Sequence, residues 1–126
     1  TILRSAKAWC HRTGSKGAVM LKVYEDEISK AREALESGNV EGCFGHLERA
    51  HVLSQRMTGW HTHVHWLMLL AGWRQRDWRE VIGQVPRMLA SILFSRLWVP
   101  RGNSGRARVS AFKPMPVPDD LRHLVR

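Results

Sequence analysis

Apolar residues recur three or four positions apart from Met20 onward, which is the repeat of an amphipathic helix. Leu21, Tyr24, Ile28, Ala31 and Leu35 set the apolar side of a helix predicted over 20–37. Gly38, in "SGN", suits the left-handed residue that ends a helix. Asn39 can cap a second helix over 40–57, with Val40, Cys43 or Phe44, Leu47, Ala50 and Leu53 or Ser54 as its inward stripe. The stretch "MTG" interrupts it. A third helix over 60–74 is apolar around Val64, Leu67, Met68 and Ala71. Asp77 with Glu80 fits a capping box for a fourth helix over 78–97, which Pro86 is expected to kink or split. No strand pattern rises above noise, so the fold class is all-α, a bundle of four to five helices.

Two stretches share one plan. "AREALESGNVEGCFGHLERA" and "WLMLLAGWRQRDWREVIGQVPRMLA" each read as a helix, a small-residue turn and a second helix. Their turns lie roughly 38 residues apart, which resembles tetratricopeptide-type helical hairpins. Two hairpins fall short of an array, and the repeat describes packing geometry rather than a peptide-binding groove. After Pro100 the chain becomes rich in glycine and alternating proline, with Phe112, Met115 and Val117 as an apolar side. Residues 100–126 are expected to form an extended strap across the helices. A phosphate-cradling role for its "GNSG" lacks the strand–loop–helix context that such a role needs. Residues 1–19 lack periodicity and contain "RTGSKG", so they read as a flexible N-terminal extension to a helical domain over 20–126. Met20 would then be the natural start.

Composition narrows the partners. A chain of 126 residues suits one domain, and two cysteines, Cys10 and Cys43, are too few for a disulfide framework. No secretory signal opens the sequence, and "WLMLLAGW" and "MLASILF" are too short to span a bilayer, so cytoplasmic location without a membrane partner is the expectation. The net charge of +9 lies in the ends: +4 in residues 1–19, +4 in 101–126 and +1 between them. Such tails read as solubilising ends, and nucleic acid is not the expected partner.

The candidate chemistry lies in "HLERAHVLSQRMTGWHTHVH". Five of the seven histidines fall there: His46, His51, His61, His63 and His65. Residues three or four apart share a helix face, so Glu48 pairs with His51 and His61 with His65. A short connection makes the second and third helices antiparallel neighbours, bringing both pairs to one seam. Glu48, His51, His61 and His65 are the expected metal ligands, with His46 as a further candidate and His63 at the surface. Imidazole and carboxylate together suit zinc, iron or manganese. "ERAH" has the Glu-x-x-His spacing of di-iron bundles, but no second copy occurs, so a mononuclear site fits better. The competing reading has His51 and His65 satisfied by hydrogen bonds, with Glu48 paired to Arg49 or Arg56. Cys43 reads as a small core residue, Cys10 with His11 as tail, and Trp66 and Trp73 as core or dimer surface.

With "HLERAHVLSQ", "HTHVHWLML", "GWRQRD" and "VPRGNSG…VSAFKPMPVPDDL" in view, the chain resembles an uncharacterised bacterial domain-of-unknown-function family, family 3703, over about 22–122. The resemblance implies a small all-helical protein and no known activity. It places His46, Glu48, His51, His61 and His65 at matching positions, while Arg106 stands where a second glycine after "GNSG" is expected. The expected function is binding of one divalent transition metal through the Glu/His cluster. The alternative is a helical interaction module, a candidate homodimer, without metal. No triad or nucleotide loop assigns a reaction or a small-molecule substrate, and whether the chain is an enzyme stays open.

Overall fold

The computed structural model describes the backbone of residues 2–125 and the side chains of Arg12 and residues 14–125. The readings of Cys10 and His11 fall outside those described side chains. Four helices follow in order: α1 (Ile2–Glu36), α2 (Val40–Ser54), α3 (Thr58–Arg74) and α4 (Trp78–Phe94). A short 3₁₀ turn, Asp119–Leu121, lies near the end. Among the described residues there is no strand.

The punctuation between helices follows the residues. The α1 path is broken at Gly14 (φ 65°, ψ −146°), a conformation that a residue with a Cβ rarely adopts. Gly38 turns left-handed (φ 80°) to end α1, and the Asn39 side chain accepts the Gly42 N–H at 3.0 Å to start α2. The break after α2 falls at 55–57, slightly earlier than expected, and Thr58 and Gly59 already belong to α3. Asp77 Oδ1 accepts the Glu80 N–H at 3.2 Å, which is one half of a capping box. The Glu80 side chain is committed elsewhere. Pro86 does not split α4, which is continuous from Trp78 to Phe94.

The core lies where the apolar stripes of α1, α2 and α3 meet. Tyr24, Ile28, Ala31, Cys43, Phe44, Leu47, Ala50, Leu53, Val64, Met68 and Ala71 are buried together, joined by Leu121 and Leu124 from the C-terminal end. Trp60 belongs to this core, stacked on Tyr24 with ring centroids 4.7 Å apart. Trp66 and Trp73 are exposed rather than core.

Helix α4 packs against α3 the other way round. Its buried residues are Glu80, Gln84 and Ser91, followed by Ser95 at the helix end. Ile82, Val85, Leu89, Ile92, Leu93 and Phe94 are exposed. Beyond α4 the chain runs without regular helix to residue 118 and is tied to the helices by hydrogen bonds. Gln55 donates to the Pro100 carbonyl and accepts the Gly102 N–H, both at 3.0 Å. Arg87 donates to the Val109 carbonyl at 2.6 Å. No helix among the described residues is long and apolar enough to cross a membrane.

Candidate metal centre

His51 lies in the last turn of α2, His61 near the start of α3, and His65 one turn further on. The brief 55–57 connection therefore brings three imidazoles to one seam, all of them buried. Their Nε2 atoms form a triangle. His51 to His61 is 3.0 Å, His61 to His65 is 3.0 Å, and His51 to His65 is 3.2 Å.

Each ring turns its other nitrogen to a different outer group. His51 Nδ1 is 2.7 Å from the Asn103 carbonyl oxygen, His61 Nδ1 is 2.8 Å from Ser95 Oγ, and His65 Nδ1 is 2.6 Å from Gln84 Oε1. Those partners assign the protons. A carbonyl can only accept, so His51 Nδ1 donates. The Ser95 hydroxyl gives its hydrogen to the Ser91 carbonyl and so accepts from His61. The Gln84 Nε2 amide donates to Glu80 Oε1 at 2.6 Å and to the Gly105 carbonyl at 3.0 Å, which leaves its Oε1 to accept from His65. All three protons are on Nδ1. None of the three Nε2–Nε2 contacts holds a hydrogen, and three lone pairs converge.

That convergence is unfavourable by itself and matches what a metal ion needs. A tetrahedral ion with bonds of about 2.05 Å holds its nitrogens about 3.3 Å apart, close to the distances here. A point about 2.05 Å from every Nε2 lies about 1 Å outside their plane. Such an ion would be held by three protein nitrogens, one fewer than the four protein ligands of closed structural sites. His51, His61 and His65 are thus a group that can hold a metal.

Electrostatics keep the rings neutral. Burial, then the neighbouring imidazoles, lowers His51 well below the usual range. Burial and then His65 lower His61 to about 3. Burial lowers His65 to about 4, against the opposing effect of its hydrogen bond to Gln84. A shared proton is therefore a poor occupant of the triangle, whereas neutral imidazole is the form that ligates.

Glu48 is not brought into the triangle. Its carboxylate pairs with Arg106 at 3.2 Å, where the competing reading expected Arg49 or Arg56. Helical spacing put Glu48 on His51's side of α2, but the guanidinium from the C-terminal segment draws its carboxylate away from the seam. His46 is also elsewhere, with its Nδ1 2.7 Å from Glu27 Oε2 on α1. His63, expected at the surface, is half-buried, with its Nδ1 3.0 Å from the Tyr24 hydroxyl.

The outer groups form a connected frame. Fully buried Glu80 accepts from Gln84, from the Ala107 N–H at 3.2 Å and from Arg106 Nε at 3.3 Å. Arg106 also lies 3.8 Å above the Phe44 ring. The position where a glycine was expected thus carries the cation joining Glu48 to Glu80. Asn103 holds its own loop: Nδ2 donates to the Ser110 and Lys113 carbonyls, each at 2.8 Å, and Oδ1 accepts the Gly105 N–H at 2.9 Å. Gly105 (φ +81°) lies so close to His51 that a Cβ there would stand 2.7 Å from the ring's Cδ2. "GNSG" packs backbone against an imidazole.

Sequence reasoning missed Gln84, Ser95 and Asn103. A signal existed for two of them: Glu80, Gln84, Ser91 and Ser95 recur at helical spacing. Nothing local marked Asn103, whose role depends on a contact 52 residues away.

A family described as proteins of unknown function, DUF3703, matches residues 18–125. The chain belongs to the DUF3703 family. That match extends a few residues beyond the 22–122 resemblance at both ends and takes in every residue of the triangle and its frame. No curated protein and no solved structure matches this DUF3703 chain.

Proposed function

We propose that this DUF3703 protein binds one divalent transition metal ion, with His51, His61 and His65 as ligands. One observation carries the reading: three Nε2 lone pairs meet at 3.0–3.2 Å while every Nδ1 proton is committed outward. Among zinc, iron and manganese, three imidazoles without a carboxylate favour zinc, because manganese and iron sites draw more on oxygen ligands. Glu48 is then an outer residue acting through Arg106, and His46 takes no part. The C-terminal segment acts as a strap that holds Asn103 on His51.

Elemental analysis of tagless protein tests it. Close to one metal per chain is expected, and His61→Ala should lose it. Metal-free protein whose stability does not respond to added zinc would overturn the reading.

A second reading is favoured by the exposed apolar row of α4. Here two tetratricopeptide-like hairpins form an interaction module that pairs with a second copy of the chain through Ile82, Val85, Leu89 and Ile92. Sedimentation equilibrium distinguishes a monomer from that dimer.

A further inference from the structure

A cavity of about 570 Å³ adjoins the histidine triangle. His51, His61 and His65 line one part of it, and Pro86, Ala90, Phe94, Trp98 and Phe112 supply apolar wall. The volume lies within the range of small-molecule sites. Arg87 also lines the cavity, at its α4 wall. Its Nη1 donates to the Gly83 carbonyl at 2.9 Å and its Nη2 to the Val109 carbonyl at 2.6 Å. Its Nε is buried with no hydrogen-bond partner. The Nε is enclosed by protein, and the two carbonyls take one hydrogen each from Nη1 and Nη2, so the guanidinium keeps further Nη hydrogens for an acceptor.

The charge balance points the same way. The triangle contributes three neutral rings and no carboxylate. The buried acid of the frame, Glu80, is already engaged by Gln84, Ala107 and Arg106. A bound dication therefore adds to the positive charge of Arg87 beside apolar walls, where uncompensated charge is costly. An anion at the open coordination position offsets both. A phosphate dianion needs several donors, and the walls offer few. A carboxylate needs one metal position and one N–H, and an apolar body suits Pro86, Phe94, Trp98 and Phe112.

We infer that the cavity takes a small monocarboxylate, its head between the metal and Arg87 and its apolar body among the aromatic side chains. This rests on the three-histidine metal reading, and the test separates the two. The probe is the full chain loaded with cobalt(II), whose visible absorption reports its coordination. Hexanoate should change that spectrum saturably, at least tenfold more tightly than acetate, while hexanol leaves it unchanged. Arg87→Gln should weaken hexanoate about tenfold, and Arg87→Lys should restore part of the loss. Ala90→Trp, which fills the cavity, should abolish the preference for hexanoate over acetate. If cobalt binds stoichiometrically and hexanoate does no better than acetate, the carboxylate inference fails alone. If cobalt does not bind, the metal reading fails and takes this inference with it.

Discussion

The seam between α1, α2 and α3 and the seam between α3 and α4 are built on opposite rules. In the first, Leu47, Leu53, Val64 and Met68 are fully buried or nearly so, and apolar side chains make up most of what is enclosed. In the second, Glu80, Gln84, Ser91 and Ser95 face in while Ile82, Leu89 and Leu93 stay in contact with solvent. Burying apolar area is the ordinary source of stability. Burying hydroxyls, an amide and a carboxylate gains little net energy even when each is bonded. The inner face of α4 is therefore better explained by what it holds, the Nδ1 protons of His61 and His65. One seam holds the molecule together, and the other holds the outer nitrogens of two of the three imidazoles, His61 and His65.

The largest effects should separate those two roles. Leu47→Ala removes a fully buried side chain and should cost about 2–5 kcal/mol in denaturant unfolding while leaving metal stoichiometry intact. His61→Ala should do the reverse. Its loss of zinc affinity should exceed the roughly 10–100-fold that removal of an outer hydrogen-bond partner causes. Calorimetric titration of both variants reads this directly. Equal metal loss in the two would mean the triangle is only as good as the core beneath it, and the division would collapse.

Acid should probe the polar seam selectively. The folded values for His61, about 3, and His65, about 4, lie below the unfolded value of about 6.5. Below pH 6.5 the unfolded chain binds protons that the folded rings refuse, so stability falls as pH falls towards the folded values. At one unit below the unfolded value, each such ring removes about 1.4 kcal/mol. Denaturant melts of metal-free protein at pH 7.5 and 5.5 check the sign, and a flat response would mean the rings are solvated. Bound metal should be released in the same direction, because protons compete for Nε2.

Gln84→Leu is a smaller and more pointed change. It leaves the His65 Nδ1 proton and the Gly105 carbonyl unpartnered, at about 1–3 kcal/mol of stability. Zinc affinity should fall roughly 10–100-fold, less than for His61→Ala. A Gln84→Leu protein with unchanged affinity would show that α4 does not orient the ligand.

The contrast also explains what could be read from the chain. Helix positions were legible because Gly38, Asn39 and Asp77 are local signals acting within a turn. His51, His61 and His65 were legible because helical spacing and one short connection fix their meeting place. Glu48 was assigned by the same spacing, but a cation 58 positions away decides where its carboxylate goes. Asn103 was illegible for the same reason. The orientation of α4 is the least legible, since a periodic apolar row normally faces inward. Here the weaker polar row does, because each of its members has a bonding partner waiting inside.

That inversion leaves an apolar row whose role can be separated from the triangle. A single charge on it, Leu89→Glu, meets no buried partner: Leu89 is 59% exposed. Its effect on monomer stability should stay within about 0.5 kcal/mol, and zinc binding should not change. If the row pairs two copies of the chain, the same substitution should shift sedimentation equilibrium to monomer. An unchanged monomer in both proteins would remove the dimer reading. A loss of zinc in Leu89→Glu would instead tie the outer face of α4 to its inner one, because the helix would then have moved as a body and taken Gln84 off His65.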